Sequence, residues 1–271
     1  MKLVFNHYII IIVTIISSLF VTSCEKEIDL DLRTADPVLV IEGRIEENGR
    51  PEVKITTTKG FFTDNTFNPV EGAEVTVSDD AGNEEKLYLN ESSGWYVGGS
   101  TPIIKGTVGQ TYNLTILHEG QEYTATTKMP PLVKMDSITF FKAPIMDYAF
   151  PRVHFKDPVG SENSYYHQKV YINGNRKKGG YTTSDEFRDD TYIIRLLPVF
   201  SENGDDDDPY EKGDLIKVEF ECIDKGTYQF FNTLYDIDDS LNNPTSAIKG
   251  GGAMGYFSAY TKDVKEVVAD W

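Results

Sequence analysis

The stretch GAEVTVSDDAGNEEKLYLNESSGWYV, residues 72–97, decides the fold class. Val75 and Val77 alternate with polar neighbours, Asp80-Ala81-Gly82-Asn83 supplies turn residues, and Leu87 and Leu89 resume the alternation. Period two belongs to a strand with one buried face, and Gly and Asn tolerate the backbone of a tight turn. The stretch therefore reads as strand, turn, strand. GQTYNLTILHEGQEYTATTKMP (109–130) repeats the form: Tyr112, Leu114 and Ile116, a turn at Glu119-Gly120, then Tyr123 and Ala125. Upstream, VLVIEGRI sets Leu39, Ile41 and Ile45 on one face, and PEVKITTT sets Val53, Ile55 and Thr57 together. Short strands between turn residues, with no amphipathic helix among them, predict a β-sandwich or barrel over 38–130. Pro130-Pro131 cannot extend a central strand and marks the boundary.

Residues 132–271 are predicted to form a second β-rich domain. Its strands are DSITFF, RVHFKD, YYHQKVYIN, TYIIRLL and LIKVEFECI. One helix is predicted near 226–241, where Tyr228, Phe231, Leu234, Tyr235 and Leu241 recur at three-to-four spacing before Asn242-Asn243-Pro244. The spacing assigns that stripe to core packing. In LIKVEFECI, Ile216, Val218, Phe220 and Cys222 share the apolar side, and Lys217, Glu219 and Glu221 point the other way. Cys222 is expected as a free buried thiol.

The first 23 residues read as a targeting signal. Lys2 is their only charged side chain, and the apolar run from Tyr8 to Val21 is shorter than the roughly 20 residues that span a bilayer. A retained membrane anchor is the competing reading. Val21-Thr22-Ser23-Cys24 resembles the bacterial lipobox, which implies that Cys24 is acylated and becomes the new amino terminus. Lipid on Cys24 would hold the chain at a membrane, with the charged segment 24–37 as tether. The chain carries 43 acidic against 26 basic residues, a net charge of −17. Nucleic-acid binding draws its affinity from Lys and Arg on phosphates, so nucleic acid is excluded as a partner.

Motifs for catalysis are sparse. His118, His154 and His167 are the histidines after the signal, with no second His or Cys at metal-ligand spacing. No G-x-S-x-G elbow is present. Gly250 to Gly255 formally match G-x-G-x-x-G, but a proline-broken loop precedes them and a strand follows, so close backbone approach is the better account. No cofactor is expected. Asp205, Asp206, Asp207 and Asp208 are weak calcium candidates, because the spacing of a calcium loop is lacking and a solvated acidic loop is the default. Phe61, Phe62 and Phe67 lie in a long connection between strands. They either bind a partner or fold back over the sandwich end. Arg176, Lys177 and Lys178 sit on an apparent hairpin turn and read as solvated.

CEKEIDLDL, PVLVIEGRI, PVEGAEVTVSDDAGN and NPTSAIKGGGAMGYFSAY, in this order, resemble the Bacteroidetes outer-membrane lipoproteins of domain of unknown function 4249. The first half also resembles the Ig-like, transthyretin-like or carboxypeptidase-regulatory type of β-sandwich. The family resemblance implies outer-membrane anchorage through Cys24, on either the periplasmic or the cell-surface face, and a TonB-dependent transporter as partner. It carries no catalytic residue. The expected function is a non-enzymatic binding or accessory module. The alternatives are a carboxylate-based glycan hydrolase and a surface adhesin or structural lipoprotein.

Overall fold

A computed structural model describes residues 37–58, 68–142, 144, 147, 149–160, 164–186, 190–200, 210–235 and 243–271. Seven strands form the first half: β1 (Leu39–Glu46), β2 (Pro51–Thr57), β3 (Glu74–Asp79), β4 (Glu84–Asn90), β5 (Trp95–Val97), β6 (Thr111–His118) and β7 (Gln121–Lys128). Eight more follow: β8 (Met135–Lys142), β9 (Ala149–Lys156), β10 (Tyr165–Ile172), β11 (Asn175–Arg176), β12 (Tyr181–Ser184), β13 (Tyr192–Leu196), β14 (Leu215–Ile223) and β15 (Met254–Val268). The helix α1 (Lys225–Tyr235) stands between β14 and β15. The fold is mainly β, with strands where the period-two segments lie.

Twelve strands join one sheet, ordered β11-β10-β14-β15-β1-β2-β5-β4-β3-β6-β7 with β12 beside β10. β13, β9 and β8 form a second sheet of three strands. The large sheet folds back on itself. Thr127 of β7 accepts a hydrogen bond from the Ala259 amide of β15, and Thr124 bridges to Lys249. The inner faces of β1, β2 and β15 thus close over those of β3, β6 and β7. Between them lies a first core containing Ile41, Ile55, Val75, Leu114, Ile116 and Phe257. A second core lies between the three-stranded sheet and β10 and β14, where the Phe155 ring sits 4.8 Å from Tyr166 and 4.7 Å from Phe220.

β15 serves both cores. Its first seven residues run parallel to β1, from Val40↔Met254 to Glu46↔Tyr260. From Thr261 onward it runs antiparallel to β14. The parallel partner is more than two hundred residues away in sequence, so only the completed fold brings the two together. The two stretches expected as separate domains each supply one core, and β15 stitches them into one compact unit, residues 36–271.

The glycine run before β15 is structural. A Cβ on Gly250 would sit 2.2 Å from the Glu122 carbonyl oxygen, and one on Gly255 would sit 1.8 Å from that of Ile41. Both have positive φ, 101° and 132°. Only glycine permits that approach, in keeping with the reading of the run as a loop entering a strand. Cys222 is a free, buried thiol, pushed up to about 11 by burial.

Candidate functional site

Strands with one face in a core must put their alternate residues on the other face. On β10, β14, β15 and β1 those outer residues share one surface. β10 contributes His167, Lys169 and Tyr171, and β14 contributes Glu219 and Glu221. β15 contributes Tyr256, Ser258, Tyr260 and Lys262, and β1 contributes Glu42, Arg44 and Glu46. The helix stands along this surface as a wall. Asp224 caps it, its Oδ1 accepting from the Thr227 amide at 2.8 Å. Phe231, Leu234 and Tyr235 face the surface and line a cavity of about 540 Å³. Trp95 of β5 and Arg176 of β11 are also part of its lining. A second cavity of about 480 Å³ adjoins it through Arg44, Lys169, Arg176, Glu221 and Tyr260. Together they form a groove.

Two expectations change here. Phe231, Leu234 and Tyr235, assigned by spacing to core packing, line the groove, while Thr227 and Phe230 are the buried helix residues. Glu221, expected to point to solvent, is 5 % exposed. It is on the outer face as the alternation requires, but the His167 and Lys169 side chains bond to it and cover it. The helix ends among the described residues at Tyr235, and its expected continuation to 241 lies outside them.

Glu221 anchors a buried network. The His167 Nδ1–H donates to Glu221 Oε2 at 2.8 Å, and Lys169 donates to the other oxygen. The Tyr235 hydroxyl lies 2.8 Å from His167 Nε2. Because Nδ1 carries the proton, Nε2 accepts, and Tyr235 is the donor. His167 itself is fully buried, its ring stacked on Phe231 with centroids 4.2 Å apart. Burial lowers the His167 pKa and outweighs the pull of Glu221, whose charge Lys169 already balances. For Glu221 the balance goes the other way. Burial would raise the carboxyl, but the His167 bond and the Lys169 charge hold it at about 2. These shifts leave a neutral His167 beside an ionised Glu221. Gly180 belongs to the same arrangement, since a Cβ there would sit 2.5 Å from the Tyr235 hydroxyl and 2.8 Å from His167 Nε2.

Elsewhere in the groove most charges pair, with Glu42 and Arg176 outside those pairs. Arg44 donates to Glu52 at 2.7 Å, and its guanidinium lies 4.3 Å from the Trp95 ring centroid. Lys262 bonds Glu46, and Lys217 bonds Glu219, whose carboxyl is held low despite burial. Ser258 Oγ is buried in the groove floor without a hydrogen-bond partner.

Cys24, the tether up to residue 36, Phe61, Phe62, Phe67 and Asp205 to Asp208 are all outside the described residues. Among the described residues, no group of three or more His, Cys, Asp and Glu is arranged to hold a metal ion. No described helix is long and apolar enough to cross a membrane. The three histidines are not brought together: His118 ends β6, His154 bonds Thr139 on the three-stranded sheet, and His167 lies in the groove. Sequence reasoning missed His167, Lys169 and Glu221 as a group. The available signal was polar alternation in YYHQKVYIN and LIKVEFECI, which reveals a shared face only once the register His167↔Glu221 is known.

Over residues 25–266 the chain matches the model of a domain of unknown function, DUF4249, and it belongs to that family. No curated protein matches it.

Proposed function

We propose that this family member is a lipid-anchored, non-enzymatic binding module of the outer membrane that holds a small polar ligand in the groove. Cys24 carries the anchor, and a TonB-dependent transporter is the partner that receives the ligand. Anchoring both proteins in one membrane raises their effective concentration, so weak contacts suffice. The observation that carries the binding reading is the groove itself: a cavity of about 540 Å³ with an aromatic helical wall over a floor of fixed polar groups. Ligand sites combine apolar lining with a few placed polar atoms in this way.

Carboxylate-based glycan hydrolysis is the competing reading. It requires a carboxyl held protonated near neutral pH to act as general acid. Glu219 and Glu221 are both shifted downward, which favours binding. The test is a thermal-shift and titration screen of oligosaccharides, peptides and small metabolites against the wild type and Trp95→Ala. A ligand that binds the wild type and is weakened by the substitution supports the groove. Turnover of that ligand would overturn the non-enzymatic assignment. Labelling with a palmitate analogue that is unaffected by Cys24→Ala would remove the anchor.

A further inference from the structure

We propose that the groove takes a carboxylate-bearing sugar, a uronic-acid oligosaccharide, with one carboxylate held by Arg176. The inference rests on the groove being the binding site. Its starting point is the pairing of the groove's cations. Arg44 is bound to Glu52, Lys169 to Glu221 and Lys262 to Glu46, while Arg50 donates to the Gly99 carbonyl. Arg176 borders both cavities and, among the described residues, its guanidinium has neither an ion-pair nor a hydrogen-bond partner. The hairpin turn fixes where it stands. Asn173 and Gly174 both have positive φ, and the turn sets Arg176 opposite Tyr171 on the groove side of β10. Burial dominates the titration of His167, Tyr171 and Tyr235, and the Arg176 charge acts on all three, so the guanidinium is within reach of the floor.

A guanidinium presents a planar fork that matches a carboxylate with two parallel hydrogen bonds. In a chain of net charge −17, one unpaired cation at the junction of two cavities selects a single negative charge there. A nucleic acid would need many such cations. An extended peptide would need a free strand edge, yet β1, β10 and β14 are each paired along both edges, and over its first half β15 is paired with β1 on one edge while Gly255 and Ala259 bond Ala247 and Thr127. Side chains are the main recognition groups of this floor. The paired ions supply fixed donors and acceptors without net charge; Glu42, in the lining of the first cavity, is a carboxylate outside those pairs, and the second cavity, which Arg176 also borders, lacks it. The buried, unpartnered Ser258 hydroxyl can both donate and accept. Hydroxyl groups of a sugar do the same, and Trp95, with Arg44 over its ring, is an aromatic in the lining against which a sugar ring can pack.

The test is calorimetric titration of the full lipidated chain in detergent. The probes are trimers of galacturonate, glucuronate and mannuronate, with neutral galactose and glucose trimers as controls. Uronate trimers should bind saturably, more weakly as salt rises, and Arg176→Gln should weaken them about tenfold or more. Because Arg176 is exposed, Arg176→Gln should keep the wild-type melting temperature. Neutral trimers binding as tightly as uronates, or uronate binding indifferent to Arg176→Gln, would overturn the carboxylate assignment. If Trp95→Ala still weakens those ligands, the groove survives that result. No binding of any uronate trimer at millimolar concentration overturns the proposal. The groove reading fails separately, when no ligand of the wider screen is weakened by Trp95→Ala.

Discussion

β6 and β14 carry the same alternating pattern and end in different surroundings. In β6, Tyr112, Leu114 and Ile116 are buried and Asn113 and Leu117 exposed, so the outer face meets solvent. In β14, Ile216, Val218 and Phe220 are buried likewise, but so is Glu221 on the opposite face. The difference is the cover. On β14 the His167 and Lys169 side chains of β10 bond Glu221, and Phe231 of α1 stacks on His167, whereas the outer residues Asn113 and Leu117 of β6 are exposed. A period of two therefore predicts which face a residue is on, and the neighbouring elements decide whether that face is dry.

Substitutions can break this contrast, and the largest effect belongs to the inner faces. Phe220→Ala should cost about 3–5 kcal/mol in urea unfolding, because the ring fills the centre of the second core and the cavity collapses only in part. Glu221→Ala comes next, at about 3 kcal/mol, since it strips the partner from a buried His167 and a half-buried Lys169. The equivalent outer position in β6 should be nearly silent. Asn113→Ala loses one exposed hydrogen bond to Thr126 and should change stability by no more than about 0.5 kcal/mol. Equal costs at Glu221 and Asn113 would show that the cover does not matter.

The pH dependence sharpens the same point. The folded state holds His167 below its ordinary pKa of 6.5, so the unfolded chain binds a proton that the folded chain refuses. That contribution is present above about pH 6.5 and is lost as pH falls below it. Glu221 is held at about 2 against an ordinary 4.5, and its contribution is present above 4.5 and lost between there and 2. Stability should thus fall in two steps on acidification, and His167→Gln should remove the first. A flat profile between pH 7 and 5 would contradict the buried neutral histidine. Tyr235→Phe should cost about 1–2 kcal/mol by leaving Nε2 without its donor, and should loosen α1 in hydrogen exchange. The smallest expected effect is chemical: the Cys222 thiol, pushed up to about 11 and buried, should resist maleimide in the native state and react on unfolding.

The sequence by itself located most of the strands, the helix and the free thiol at Cys222; it set a hairpin turn at Arg176 to Lys178, whereas the turn falls at Asn173-Gly174 and Arg176 lies in β11. Each rests on local chemistry: period, turn residues, three-to-four spacing, and an apolar side of a strand. Its named candidates, from Cys24 to the phenylalanines and the acidic loop, rest on motif and composition, which need no partner in space. The groove needed one. His167 and Glu221 are 54 residues apart and meet only through the antiparallel register of β10 and β14. Glu46 and Lys262 meet only because β15 runs parallel to β1. Period-two patterning cannot choose among strand neighbours, because every strand in a sheet shows the same alternation. Tertiary structure made that choice, and with it decided that four ordinary outward faces would become one walled site.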